Sequence, residues 1–433
     1  MLDQPKSLVT DLFECYRQTH GRVYMNGQQA LARILIEQMR LDRDKNLNTG
    51  AMISGYRGSP LGNIDGTLHQ AKGFFEPLNI HFHPAVNEDL AATMIWGSQQ
   101  SQLSPQANTD GVVGMWYGKG PGVDRCGDVF KHANAAGTSA NGGVLCVAGD
   151  DHGAKSSTIP HQSDHAFMSA VMPMLYPSSI HEYLWLGLAG LAMSRYSGCW
   201  VGFKVISETV ETTASVDLQH LTTQFVLPED FQLPAAGLNL RWPDDRWQQD
   251  ERLQQHKAYA AMAFARANKL DRITLRSPQP RFGIITSGKS YEDTRQALHE
   301  LGLNNAQAAK LGISVFKVAM PWPLEPEGVR EFSRHMQEIM VIEERREVIE
   351  NQIKQHLFNW GLERPRITGK FDDMDQPILP LAAELNVANI ALALAHRLLK
   401  LDLDSDSHQH LTEQIKRLTE QQKQVIKAPS VRT

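Results

Sequence analysis

The chain has 433 residues, a length that suggests about three domains. Its 43 Lys and Arg against 48 Asp and Glu give a formal net charge of −5, which lacks the basic field that nucleic-acid binding normally requires. A hydrophobic content of 42% is typical of a folded protein. The longest apolar stretch, residues 183–193, is too short to span a bilayer, and the first residues show no secretory signal. We therefore expect a cytoplasmic protein with no nucleic-acid or membrane partner.

The cysteines are scattered, at Cys15, Cys126, Cys146 and Cys199, and no Cys-x-x-Cys pair occurs. A disulfide framework is implausible in so long a chain, and a zinc or iron–sulfur site would need local ligand pairs. We expect free thiols and no metal cluster of the chain's own.

Strand and helix patterns alternate up to about residue 225. The predicted strands are residues 51–55, 112–116, 143–147 and 200–205. The predicted helices are residues 28–39, 88–102, 130–140 and 180–196. Such alternation predicts a parallel sheet covered on both faces, with its ligands bound by the loops after the strands.

A connector is predicted over residues 226–275, where prolines break the pattern before a polar helix at 249–268. A second α/β unit follows over 276–375. Its predicted strands are residues 282–286, 314–318 and 339–342, and its helices are 291–301, one from Glu325, and 346–359. Residues 376–433 are predicted to form a helical tail, with helices at 385–399 and 411–426 and a linker from 427. The fold class is therefore α/β, with two parallel-sheet domains and a helical tail.

Residues 283–290 match the G-x-x-x-x-G-K-[ST] pattern of a phosphate-binding loop. In such a loop the first glycine follows the strand, whereas here Gly283 precedes Ile284 and Ile285, which must form the strand themselves. The remaining turn is too short to wrap a triphosphate. An NTPase is therefore the disfavoured alternative.

Two further loops carry polar residues. Asp150, Asp151 and His152 with His161, Asp164 and His165 could ligate a metal if both later histidines shared a helix face, but we favour a metal-free polar wall. Residues 117–122 form either a tight turn or a weak anion site with Lys119 as its cation.

Glu88 is the most suggestive carboxylate. Asn87 can cap a helix whose first turn then holds Glu88 and Asp89. Both acids could merely complement the helix dipole. The apolar residues that follow could also bury the turn, in which case desolvation would raise a carboxyl pKa and the helix N-terminus would lower it.

Six segments in the same order resemble indolepyruvate ferredoxin oxidoreductases, a family of thiamine-diphosphate-dependent 2-oxoacid:ferredoxin oxidoreductases. These segments are residues 55–62, 84–92, 117–124, 149–157, 160–164 and 322–328. The resemblance runs from about residue 20 to the end. It implies that residues 1–225 bind the aminopyrimidine ring of thiamine diphosphate and that 276–375 form a transketolase C-terminal-like domain.

The resemblance also assigns site residues. Glu88 matches the family's glutamate that bonds the pyrimidine ring nitrogen N1′, and it is therefore the expected catalytic residue. Cofactor contacts are expected at Glu88, Asn87, Gly118 and Lys119. Substrate contacts are expected at Arg57, Ser59, Pro60, Asp150, His152 and Lys155, with Arg57 as the carboxylate clamp.

The implied reaction is oxidative decarboxylation of an aryl 2-oxoacid to acyl-CoA, with electrons passed to ferredoxin. Single-chain members of the family continue past the position of Thr433 into a Cys-x-x-Cys-Pro-His segment and a diphosphate-binding domain, whereas this sequence contains no Gly-Asp-Gly. We expect a front portion that is inactive alone, in an oligomer whose missing domains or partner chain bind magnesium, an iron–sulfur cluster and coenzyme A. The alternative is a non-catalytic interaction module of the same fold.

Overall fold

The computed structural model describes residues 11–222, 224–361 and 363–427. Its strands are β1 Arg22–Asn26, β2 Thr49–Gly55, β3 Ile80–Phe82, β4 Gly111–Lys119, β5 Val144–Asp150, β6 Met174–Leu175, β7 Trp200–Ile206, β8 Thr213–Asp217, β9 Arg272–Leu275, β10 Phe282–Ser287, β11 Ile313–Val318, β12 Glu338–Ile342 and β13 Arg366–Thr368. Its helices are α1 Glu14–Arg17, α2 Gly27–Asp44, α3 Ile64–Gln70, α4 Lys72–Phe75, α5 Glu88–Gln99, α6 Gly120–Arg125, α7 Gly127–Ala136, α8 Asp164–Ser169, α9 Ile180–Ser197, α10 Ser207–Val210, α11 Arg246–Arg252, α12 Ala258–Ala267, α13 Gly288–Glu300, α14 Asn305–Lys310, α15 Pro326–Ser333, α16 Ile349–Phe358, α17 Val387–Leu398 and α18 Ser405–Lys427.

The first sheet has six parallel strands in the order β3-β2-β4-β5-β7-β6. Its inner strands β5 and β7 are buried along their whole length, which explains their almost uninterrupted apolar sequences. Helices α2 and α9 cover one face and meet where Gly187 admits the side chain of Ile34. Helices α5, α7 and α8 cover the other face through Ile95, Phe130 and Phe167. The predicted parallel sheet with helices on both faces is confirmed.

The second sheet has five strands in the order β13-β12-β10-β11-β9, with β9 antiparallel to β11 and the other pairs parallel. Helices α13 and α17 pack on one face of this sheet, and α15 and α16 pack on the other. The helices predicted as a tail contribute Leu394 and Leu411 to the same core as Leu298 of α13. They therefore form part of the packing of the second unit.

Several element boundaries differ from the sequence prediction. Residues 117–119, predicted as a loop, extend β4 because they pair with residues 147–149 of β5, and this pairing outweighs the low strand propensity of glycine. The predicted connector ends in β9, which joins the second sheet, and β13 was not predicted. The connector helix predicted at 249–268 runs from Arg246 to Ala267, with a π-helical turn, Leu253–Lys257, between α11 and α12. The predicted linker after Lys427 lies outside the described residues.

In the described part of the chain, every helix is too short or too polar to cross a membrane.

Candidate functional site

The candidate site lies at the edge of the first sheet where the parallel strands end. Strands β2, β4 and β5 are neighbours, and they end at Gly55, Lys119 and Asp150. The loops that leave these strand ends therefore meet at one edge, which is where open parallel sheets bind ligands. These loops carry most of the residues predicted from the sequence.

Glu88 begins helix α5 beside this edge. The Asn87 side chain accepts a hydrogen bond from the Leu90 amide at 2.8 Å, so the predicted N-cap is confirmed. The indole Nε1 of Trp116, on β4, donates to the backbone carbonyl of Glu88 at 3.0 Å. A helix cap and a buried indole thus hold the first turn of α5 against the end of the sheet.

The carboxyl group of Glu88 occupies space that two glycines leave free. A Cβ atom on Gly122 would lie 2.6 Å from Glu88 Cγ and 2.8 Å from its Oε1, and one on Gly118 would lie 3.3 Å from Cγ. Glu88 is only 9% exposed, yet its carboxylate oxygens accept no hydrogen bond and form no ion pair with any residue that the structure describes. A buried acid of this kind has its hydrogen-bonding capacity left for a ligand.

Two cations share this edge. Arg57 is exposed in the loop after β2, and Lys119 is the last residue of β4, with its side chain against Gly58, where a Cβ would lie 2.9 Å from Lys119 Cδ. Within residues 11–222, 224–361 and 363–427, neither cation has a hydrogen-bond or ion-pair partner. Ser59 is half-buried and Pro60 is buried, with Pro60 Cδ packed over Gly149 at the end of β5.

Asp150 lies beneath this surface, in a buried charge network. Its carboxylate accepts hydrogen bonds from Ser163 Oγ at 2.5 Å and Ser163 N at 2.9 Å, and Lys204 Nζ lies 3.5 Å away. Burial alone would raise the pKa of Asp150, but the His161 hydrogen bond and the Lys204 charge overcome it and hold that pKa below its usual range. Asp150 is therefore fully engaged in holding the loop after β5.

His161 links this network to helix α6. Its ring packs against Gly120, and its Nε2 lies 2.8 Å from Asp124 Oδ2. Burial opposes protonation, but the carboxylates of Asp150 and Asp124 raise the pKa of the His161 ring overall. The expectation that His161 and His165 share a helix face is wrong, because His161 precedes α8. Among the described residues, no group of three or more His, Cys, Asp or Glu side chains could hold a metal ion.

His152 and Lys155 face the second unit. The His152 ring is buried, with Nδ1 3.0 Å from the His161 carbonyl, and burial followed by the Lys204 charge lowers its pKa. Lys155 Nζ pairs with Glu208 and, at 3.1 Å, with Glu384. Lys155 is thus held by protein carboxylates, whereas the buried Nε2 of His152 has no hydrogen-bond partner in the described part of the chain. The substrate contacts of both residues stay predictions.

The segment that resembles a phosphate-binding loop forms no such loop. Gly283 lies inside β10, and α13 begins at Gly288. The Lys289 ammonium bonds the Asp293 carboxylate at 2.5 Å and the Leu385 carbonyl at 2.8 Å. The lysine that would reach a nucleotide phosphate is therefore held by the protein itself.

The sequence patterns did not identify Trp116 and Lys204, and they indicated His161 as a metal ligand or, preferably, as part of a metal-free polar wall. Trp116 and Lys204 lie inside apolar strand patterns, where an isolated Trp or Lys carries no signal of its partner. Gly122 lies in segment 117–124, which carries part of the family resemblance, but its contact with Glu88 depends on the packing of α6 against α5.

Comparison with known proteins gives concordant results. Residues 271–428 match the indolepyruvate ferredoxin oxidoreductase middle domain. The subunit IorA of indolepyruvate oxidoreductase from Methanothermobacter marburgensis is 22% identical over 81% of this chain and 51% of its own length. The same subunit from Pyrococcus abyssi is 23% identical over 79% of this chain and 48% of its own length. The chain thus spans about half the length of these curated relatives.

Two solved structures share the fold. A 2-oxoglutarate:ferredoxin oxidoreductase from Magnetococcus marinus matches with a TM-score of 0.57 and 13% identity, covering 88% of this chain and 66% of that one. A split-gene transketolase, described as an inactive β4 tetramer, matches with a TM-score of 0.51 and 13% identity over 86% of this chain and 98% of that one. These two structures show the fold alone, whereas the family-model match and the curated relatives confirm the resemblance of this chain to the indolepyruvate ferredoxin oxidoreductase family.

Proposed function

We propose that this chain is the pyrimidine-binding component of a thiamine-diphosphate-dependent 2-oxoacid:ferredoxin oxidoreductase that acts on an indolepyruvate-type substrate. The observation that carries the proposal is the Glu88 carboxyl, which is buried at a helix N-terminus and has no partner among the described residues. The similarity to IorA subunits supports the reaction class.

The residues around Glu88 fit the aminopyrimidine half of the cofactor. Nitrogen N1′ of that ring needs a carboxyl group in a site with little water, and Glu88 supplies the carboxyl group on a residue that is mostly buried. Gly118 and Gly122 present no side chain beside the carboxyl, so that only backbone lies next to it. When bound, thiamine diphosphate supplies the nucleophilic carbon and the electron sink that decarboxylation of a 2-oxoacid requires.

The chain's own residues then have distinct roles. Glu88 holds the proton at N1′, and Asn87 and Trp116 keep its helix turn in place. Arg57 clamps the substrate carboxylate, since its guanidinium is free of protein partners and can bind two oxygens at once. Lys119 adds a second positive charge at the same edge.

The remaining predicted contacts have supporting roles in this proposal. Ser59 and Pro60 shape the loop that presents Arg57, and Pro60 packs it onto β5. Asp150, His152 and Lys155 hold the loops after β5 through their hydrogen bonds and ion pairs. They therefore position the site and would reach the substrate only after rearrangement.

A partner completes the site in this proposal. Three apolar side chains on one side of the α5 start, Val86, Leu90 and Met94, are exposed at 79%, 48% and 37%. The expectation that the apolar residues after Glu88 bury the turn therefore holds for Ala91, Ala92 and Ile95 but not for Leu90 and Met94. We infer that the diphosphate-binding partner covers them, excludes water from Glu88, and brings magnesium, the iron–sulfur cluster and coenzyme A.

Isothermal titration calorimetry tests the proposal. Thiamine diphosphate with Mg²⁺ is titrated into the chain alone and into the chain mixed with the product of a neighbouring gene. We expect tight binding only in the mixture, lost in Glu88→Gln and kept in the matched Asp89→Asn variant. Absence of binding in both samples, or binding that Glu88→Gln leaves unchanged, would instead support the non-catalytic interaction module.

A further inference from the structure

A separate cavity of about 670 Å³ opens between the edge strand β9, the end of α12 and the start of α15. None of its lining residues belongs to the candidate site described above. Its volume lies within the range of pockets that hold small organic ligands, about 300–1,000 Å³. Phe316 and Ile273 supply apolar walls, and Gly328 adds open backbone.

The cavity carries positive charge that the protein does not neutralise. Lys269 and Arg276 are exposed at its rim, and neither side chain makes a hydrogen bond or an ion pair with the residues that the structure describes. Two further arginines of the lining, Arg266 and Arg272, are already paired with carboxylates. Two cations are therefore left to bind an anion.

The two glutamates of the lining do not cancel this charge. Glu325 accepts the Gly328 amide at 2.6 Å as the cap of α15 and pairs with Arg266 at 2.7 Å. Glu331 pairs with Arg334 at 3.1 Å. Each glutamate thus has its own cation, and the charge of Lys269 and Arg276 remains.

Asp271 adds a hydrogen-bond acceptor at the cavity wall. Its Oδ1 accepts the backbone amides of Ala319 and Met320 at 2.7 and 3.0 Å. Its Oδ2 is shielded from solvent and has no hydrogen-bond partner in the described part of the chain. A ligand with an N–H or O–H group near this oxygen would satisfy it.

We propose that this cavity binds a nucleoside phosphate. Lys269 and Arg276 bind the phosphate groups, the half-buried Ile273 contacts the base, and a base amino group or a ribose hydroxyl donates to Asp271 Oδ2. Inorganic phosphate alone would leave both the apolar wall and Asp271 Oδ2 without a contact. The cavity does not include Glu88, so nucleotide binding can be tested independently of the proposed oxidoreductase function.

Calorimetric titration of the full chain tests the proposal, with ADP and GDP as probes and pyrophosphate and adenosine as comparisons. We expect at least one nucleotide to bind roughly tenfold or more tightly than either comparison, since each supplies only part of the contacts. The Lys269→Ala/Arg276→Ala double variant should weaken nucleotide binding by a similar factor. The control Lys45→Ala/Lys131→Ala removes two other exposed lysines and should bind as the unmodified chain does.

Hydrogen exchange locates the site without any substitution. Nucleotide should slow amide exchange in residues 269–276. Protection confined to other segments, pyrophosphate binding as tight as nucleotide binding, equal binding by the Lys269→Ala/Arg276→Ala variant, or no nucleotide binding at all would each overturn the proposal.

Discussion

The indole N–H of Trp116 bonds the backbone carbonyl of Glu88 at 3.0 Å. Trp116 is fully buried on β4 and meets the ring of Phe130 edge-on, with centroids 5.0 Å apart. The helix turn that presents the candidate carboxylate is therefore bonded to the central part of the first sheet. Substitution of Trp116 therefore tests this attachment.

Trp116→Phe removes the indole donor and leaves the Glu88 carbonyl without it. Loss of one buried hydrogen bond costs about 1–2 kcal/mol in the free energy of unfolding. Trp200→Phe is a matched control, because Trp200 is equally buried and its Nε1 has no hydrogen-bond partner in the described residues. Urea denaturation should show the larger loss for Trp116→Phe; equal losses would mean that this hydrogen bond contributes nothing.

Gly122→Ala tests the space that the carboxyl of Glu88 occupies. The added Cβ would lie 2.6 Å from Glu88 Cγ, so the side chain must move. We expect thiamine diphosphate affinity in the assembled enzyme to fall by roughly tenfold or more, the effect of losing a charged hydrogen bond. Gly97→Ala, on the same helix as Glu88, meets nothing within 4 Å and should leave affinity unchanged. Equal affinity in both variants would contradict the proposed position of the cofactor ring.

Arg57→Gln tests the carboxylate clamp. Loss of a charged, two-point contact should raise the KM for the 2-oxoacid by roughly tenfold or more in the assembled enzyme. Arg125→Gln removes another exposed arginine, at the end of α6, and should leave KM as it is. If Arg57→Gln left KM unchanged, Arg57 would not bind the substrate carboxylate.

The stability of the chain should depend on pH through Asp271. Burial raises the pKa of this carboxyl to about 7, although the Met320 and Ala319 amides oppose it. An unfolded aspartate titrates near pH 3.9, so between about pH 4 and pH 7 the folded chain holds a proton that the unfolded chain releases. The contribution of Asp271 to the free energy of unfolding therefore decreases as pH rises through this interval.

Asp271→Asn removes this titration and retains an oxygen for the two amides. Urea denaturation at pH 5 and pH 7 should show a decline in stability with pH that is smaller in the variant by up to roughly 2–3 kcal/mol. The stability of Asp250→Asn, at an exposed site on α11, should decline with pH as that of the unmodified chain does. If stability declined equally in Asp271→Asn and the unmodified chain, Asp271 would not hold a proton in the folded state over this pH interval.

Much of the fold near the site follows from local sequence patterns. Apolar strands that alternate with periodic helices predicted the parallel sheet, and Asn87 predicted the start of α5, because both signals depend on residues close in the chain. The end of β4 was mispredicted since its pairing with β5, about 30 residues away, decides whether Gly118 lies in a strand.

The ion-pair partners of charged side chains could not be predicted from local sequence patterns. Lys155 was predicted to face the substrate, but it pairs with Glu208 and with Glu384, which lies 229 positions further along the chain. Lys204 and Asp150 likewise meet only after β5 and β7 pair. Such contacts depend on tertiary packing, so a motif identifies the loop but not which of its side chains remain free.

The proposed function is tested most directly by the rate of 2-oxoacid-dependent electron-acceptor reduction in the enzyme assembled from this chain and its diphosphate-binding partner. Glu88→Gln should reduce this rate by roughly a hundredfold or more, the contribution expected of a general acid–base residue, while Asp89→Asn on the same helix turn retains it. Equal rates in Glu88→Gln and the unmodified enzyme would contradict the assignment of Glu88 and, with it, the proposed oxidoreductase function.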